Sequence, residues 1–216
     1  MKLTFSQKLR SYFYPVLIHK ASSEQNPVLD VYYYRGRWQL ATADALYSDG
    51  VYYRPLVAAF KAIKRSLPQV KKVLVLGTGL GSAVQILRQK KYYPDYTLVE
   101  MDEQVLCLAL ELMPADVHPS ITPICADAQF FLQQHPHQYD LLIVDIFNGR
   151  QVPEFVLSSD FLEQCRKHLA PQGTIILNYM VNATTDEQKA KAALGAAFNI
   201  SKELIFGINR VYITTA

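Results

Sequence analysis

Residues 73–81 read Val-Leu-Val-Leu-Gly-Thr-Gly-Leu-Gly, and nineteen residues further on the run Thr97-Leu98-Val99 ends on Glu100. The pattern is a buried strand, a glycine-rich turn, a helix, and a second strand with a carboxylate at its tip. Leu80, Ala83, Val84 and Leu87 fall at i, i+3, i+4 and i+7, which gives the intervening helix an apolar stripe to lay on the sheet. Open α/β sheets build nucleoside sites in this way. Gly77, Gly79 and Gly81 let a ligand approach the backbone, and Glu100 is placed to accept hydrogen bonds from two ribose hydroxyls. The glycine triplet alone is a weak signal; the strand, the helix and the acid around it give it meaning.

The remaining sequence narrows the class. With 216 residues, half of them hydrophobic, the chain has enough material for one substantial core and a small appendage. Its 22 Lys+Arg against 19 Asp+Glu leave only +3, too little to argue for a nucleic-acid partner. Cys107, Cys125 and Cys165 are far apart in apolar or helical settings, so they read as small buried hydrophobes and no metal site is expected. No run approaches the roughly 18 apolar residues that span a bilayer, and the start MKLTFSQKLR has no signal-peptide core. The expectation is a soluble cytoplasmic protein without a membrane partner.

Outward from the glycine loop the chain divides near Leu67-Pro68. Residues 1–67 hold a short amphipathic helix within Thr4–Phe13, extended runs at 15–20, 29–34 and 37–41, and a linking helix over 51–67. Tyr32, Tyr33, Tyr34 and Trp38 favour half-buried strands, so this part reads as a small antiparallel sheet. From 68 to 216 the pattern alternates. Strands are expected at 72–76, 96–100, 121–125, 139–145, 173–178, 202–206 and 210–214, and helices at 80–90, 102–112, 127–134, 160–169 and 185–197. Asp160 with Glu163 has the form of a capping box. Gly207-Ile208-Asn209 is short enough to close a hairpin, which makes the last strand antiparallel. Five parallel strands with a terminal antiparallel hairpin describe a Rossmann-like sheet of the class I methyltransferase type. Ser82 stands where a dinucleotide fingerprint would have another glycine.

From Leu29 to about Thr214 the sequence resembles the spermidine synthase family. The resemblance is carried by Arg35-Gly36-Arg37-Trp38-Gln39, Val73–Gly81, Val99-Glu100-Met101-Asp102, Ala126-Asp127-Ala128 and Tyr139–Asp145. It implies that Gln39 touches the nucleoside from the small sheet and that Glu100 holds the ribose. It also implies that Asp127 accepts from the adenine amino group and that the Ala128 backbone faces the ring. A homodimer through the N-terminal sheet is a further implication. Asp127 is equally suited to capping helix 127–134, and Asp102 reads as a cap for the helix before it.

The departures lie on the acceptor side. Where the family's glycine loop carries an aspartate that grips the aminopropyl amine of decarboxylated S-adenosylmethionine, this chain has Leu80. Of two aspartates three apart that hold the acceptor amine, Asp145 keeps the first and Asn148 replaces the second; the family's tyrosine-glutamine pair falls on Ser48 and Asp49. Aminopropyl transfer needs an uncharged amine nitrogen and a carboxylate to take its proton. Asp145, which ends an apolar strand, is the candidate catalyst, with Asp49 and Asn148 as candidate substrate contacts. The leading expectation is a spermidine synthase-like transferase with an eroded diamine site. It would bind S-adenosylmethionine, its decarboxylated form or methylthioadenosine and pass a methyl or alkyl group to a small acceptor. A true aminopropyltransferase of polyamine biosynthesis and a non-catalytic nucleoside-binding module stay open beside it.

Overall fold

A computed structural model describes residues 1–215. The N-terminal part begins with a six-residue helix, α1 (Phe5–Arg10), closed by a Thr4/Gln7 capping box. Strands β1 (Val16–Ala21), β2 (Leu29–Tyr34), β3 (Arg37–Ala41) and β4 (Leu46–Ser48) follow and form an antiparallel sheet in chain order. The short β4 was not expected from the sequence. The linking helix is shorter than the 51–67 periodicity predicts: α2 spans Arg54–Ala62, preceded by a single 3-10 turn at Gly50–Tyr52. Pro55 explains the late start, because a proline has no N–H to donate and fits an α-helix only in its first turn.

The main sheet contains β5 (Lys72–Leu76), β6 (Asp95–Glu100), β7 (Ile121–Cys125), β8 (Tyr139–Val144), β9 (Leu169–Met180), β10 (Ile200–Phe206) and β11 (Asn209–Thr215). Its order is β10-β11-β9-β8-β5-β6-β7; the five strands from β9 to β7 run parallel, and β11 is antiparallel to both neighbours. Helices α3 (Ser82–Gln89), α4 (Glu103–Leu112), α5 (Ala128–Gln134), α6 (Ser159–Lys167) and α7 (Thr184–Ala197) connect the strands. Cap geometry corrects one detail. Ser158, not Asp160, caps α6, its Oγ accepting from the Phe161 N–H, while Glu163 pairs with Arg166.

Strand alternation sorts the core into two faces. Val73 and Val75 pack with Leu56, Phe60, Val84 and Leu87 on one side; Leu74 and Leu76 pack with Phe131, Phe161 and Leu162 on the other. A third cluster joins Leu29, Val31 and Leu40 of the small sheet to Leu80 and to Val105, Leu108 and Leu112 of α4. The cysteine expectation is only partly met, since Cys165 is buried whereas Cys107 and Cys125 are exposed. Among the described residues no helix is long and apolar enough to cross a membrane.

The chain moves outward from β5 to β6 and β7, then returns to β8 on the other side of β5. That reversal is a topological switch point. The crevice beyond the carboxyl ends of β5 and β8 is where such a sheet accommodates a ligand.

Candidate functional site

A cavity of about 350 Å³ opens at that switch point. One wall comes from the ends of β5, β6 and β7: Gly77, Thr78, Gly79, Glu100, Asp127 and Ala128. The other comes from the end of β8 and the loop after it: Asp145, Ile146, Phe147, Asn148, Pro153 and Phe155, with Tyr47 and Ser48 reaching over from β4. Gly77 has φ +86°, and a Cβ there would collide with the Asp145 carbonyl oxygen, so this glycine lets the two walls meet.

Glu100 is woven into the glycine loop. Its Oε2 accepts from the Thr78 N–H at 2.9 Å and the Gly79 N–H at 3.4 Å, and its Oε1 accepts from the Asp102 N–H at 3.2 Å. Burial raises its pKa, and these three amides oppose that shift. Asp102 is saturated: Oδ1 caps α4 through the Gln104 and Val105 amides, and Oδ2 takes bonds from Ser23 and Asn26. Asp127 caps α5, its Oδ1 accepting from the Gln129 and Phe130 amides at 2.8 and 3.1 Å. Its Oδ2 takes no part in the cap, and Asp127 is among the residues that line the cavity.

Asp145 sits in a different environment. Its Oδ1 accepts from the Tyr53 hydroxyl at 3.1 Å and from Asn178 Nδ2 at 2.8 Å. Burial pushes its pKa up to about 6; the Asn178 and Tyr53 bonds pull it down, and the Glu100 charge adds to the rise. A carboxyl with that proton affinity, its second oxygen free, can take a proton near neutral pH.

Three residues expected at the site lie outside the cavity lining. Gln39 on β3 donates through Nε2 to Asp49 Oδ1 at 2.6 Å. The same oxygen is held by Arg37 Nε at 2.5 Å, so Asp49 is committed to an ion pair within the small sheet. Gly81 opens α3 in the left-handed region, φ +73°, with the Met113 sulfur where its side chain would be. Asn148 lines the cavity rim, its backbone paired with Gln151. Leu80 is fully buried in the third apolar cluster and does not face the cavity. Sequence reasoning missed Tyr53, Asn178 and Tyr47. Asn178 carried a signal, because it follows the apolar run Ile175-Ile176-Leu177 toward the carboxyl end of β9, a placement like that of Asp145 after β8.

Among the described residues no group of His, Cys, Asp or Glu is arranged to hold a metal ion. The sheet order, the antiparallel last strand and the acid after β6 together define a class I methyltransferase-like α/β protein with a small N-terminal β-sheet. The chain belongs within that class to the spermine/spermidine synthase domain family, whose sequence profile matches residues 55–204. It is similar to a polyamine aminopropyltransferase from Alkaliphilus metalliredigens, 28% identical over 194 residues that make up 86% of this chain and 65% of the relative. A probable polyamine aminopropyl transferase from Bifidobacterium longum is 31% identical over 144 residues, 64% of this chain and 29% of that protein. The chain thus spans under two thirds of the length of either relative. In structure it is similar to a probable spermidine synthase from Corynebacterium glutamicum at TM-score 0.75 and 17% identity, over 92% of this chain and 80% of that one.

Proposed function

We propose that the chain is an aminopropyltransferase that takes decarboxylated S-adenosylmethionine as donor and an amine as acceptor. The observation that carries this reading is the charge of the cavity. Glu100, Asp102, Asp127 and Asp145 line it, and no Lys, Arg or His among the described residues does so. The loop amides of Thr78 and Gly79, which would otherwise receive an anion, are already taken by Glu100. S-adenosylmethionine brings a carboxylate for which this cavity has no cation among the described residues; the decarboxylated form brings only positive charge. The names of the relatives support the same direction and weigh against methyl transfer, the leading expectation from the sequence.

In this reading Glu100 keeps lone pairs for the ribose and Asp127 Oδ2 accepts from the adenine amino group. The amine nitrogen forms a C–N bond to the carbon beside the sulfonium. The C–S bond breaks with its electron pair left on sulfur, releasing methylthioadenosine. Asp145 Oδ2 takes the proton that the nitrogen sheds, and activity rises with pH through about 6 as that carboxyl ionises. One observation favours a second reading, methyl transfer. Leu80 is sealed in the core, so the glycine loop offers no carboxylate to a donor ammonium.

Mass spectrometry decides between the two. Incubation with decarboxylated S-adenosylmethionine and a panel of primary amines is expected to release methylthioadenosine. S-adenosylmethionine in its place is expected to give no S-adenosylhomocysteine. The reverse pattern overturns the proposal.

A further inference from the structure

We infer that Asn209, which does not line the cavity, is a positioning residue that acts through Asn178 to hold the Asp145 carboxylate with Oδ2 turned to the ligand. Asn178 is almost fully buried on β9. Its Nδ2 donates to Asp145 Oδ1 at 2.8 Å and to the Tyr53 hydroxyl at 2.9 Å, while its Oδ1 accepts from Asn209 Nδ2 at 3.0 Å.

A carboxamide has nearly the same shape either way round, so its partners decide which end faces Asp145. Turned over, Asn178 would set its oxygen against a carboxylate oxygen and its NH₂ against the NH₂ of Asn209, two contacts without a proton to share. Asn209 adds to the cost of that flip by donating to the Asn178 oxygen. Its own backbone is fixed, because it opens β11 opposite Met180 and the hairpin is tied back by the Val181 N–H donating to the Ile208 carbonyl at 2.8 Å. A residue of the final hairpin therefore sets the donor that orients a carboxylate at the end of β8. The ionisable groups that reach Asp145 are Tyr53 from the start of α2, hydrogen-bonded to it, and Glu100 from the end of β6, which repels it.

The inference rests on Asp145 as the proton acceptor of the proposed reaction, yet its test needs no turnover. Carbon-13 carboxyl signals of the whole protein are titrated, with Asp145 identified as the signal lost in Asp145→Asn. In Asn209→Leu the midpoint is expected to move up by about half to one pH unit, the scale of one neutral hydrogen bond. Asn178→Leu removes the donor itself and is expected to move it at least as far. A midpoint in Asn209→Leu within about 0.3 unit of the parent overturns the inference, whatever happens to melting temperature. So does a shift confined to Asn178→Leu. Should no amine be turned over at all, the proposed reaction fails while the titration still decides the positioning role. Where turnover exists, the acid limb of the kcat profile of Asn209→Leu shifts with the midpoint.

Discussion

The two walls of the cavity are held in place by different means. On the wall from the ends of β5, β6 and β7, two acids are satisfied by backbone amides: Glu100 by those of Thr78, Gly79 and Asp102, and Asp127 by those of Gln129 and Phe130. On the opposite wall, Asp145 is satisfied by side chains alone, Tyr53 from 92 positions before it and Asn178 from 33 after it. Backbone amides at a loop or a helix start come with the local fold. A side-chain network exists only when remote elements have packed. In the proposed reaction the first wall binds the nucleoside and the second tunes a proton affinity.

Asp145→Asn tests that difference with the largest effect. The amide keeps an oxygen for Tyr53 and Asn178 but cannot take a proton, so kcat is expected to fall by about 10²–10⁴ while nucleoside affinity stays close to the parent. The same change is expected to stabilise the fold at neutral pH. Asp145 ionises at about 6 in the native state against an ordinary 3.8, so between those values the native protein binds more protons than the unfolded chain. Stability is therefore highest below about pH 4 for this group and declines as pH rises through 6, by at most about 3 kcal/mol. Chemical denaturation at pH 5 and pH 7.5 should show that slope in the parent and a flatter one in Asp145→Asn. Equal slopes mean that Asp145 is not held protonated by its surroundings.

The same contrast explains what the sequence disclosed. Strands at 72–76 and 121–125 match expectation residue for residue, and in the first the buried apolar run Val73–Leu76 carries its own register. Gly77, Glu100 and Asp127 were legible for a similar reason: each sits at a strand end within one continuous β-α-β-α-β stretch. Gln39 was expected to touch the nucleoside and lies outside the cavity lining, because its Nε2 donates to Asp49, just past β4, which also accepts from Arg37 on the same strand as Gln39. No spacing rule reports which of several polar groups a side chain will choose. Tyr53 was hidden for another reason. It reads as one more aromatic before a helix, and only the return of β8 and β9 to the centre of the sheet brings Asp145 and Asn178 against it.

Glu100→Ala probes the other wall with a smaller effect. Removal of the carboxylate proposed to hold the ribose is expected to weaken methylthioadenosine binding by about ten- to a hundredfold, measured by calorimetry, equivalent to roughly 1.5–3 kcal/mol. The Asp145 midpoint should also fall slightly in this variant, because the repelling charge is gone. Unchanged affinity would mean that Glu100 serves only to brace the loop amides, and the division between a binding wall and a tuning wall would lose its first half.

Asp127 offers the finest test, because its two oxygens divide its roles. Oδ1 caps α5 through two amides, and Oδ2 takes no part in the cap of a residue that lines the cavity. Asp127→Ala removes both and is expected to cost about 1 kcal/mol of stability along with affinity. Asp127→Asn separates them. Asparagine caps a helix about as well as aspartate, so stability should stay within about 0.5 kcal/mol of the parent. Its NH₂ would then occupy the place of Oδ2 and meet the adenine amino group donor to donor. Affinity for methylthioadenosine is expected to drop by about fivefold or more, close to 1 kcal/mol. A folded, fully stable Asp127→Asn that binds as tightly as the parent would leave Asp127 as a helix cap alone and move the adenine contact to the Ala128 backbone.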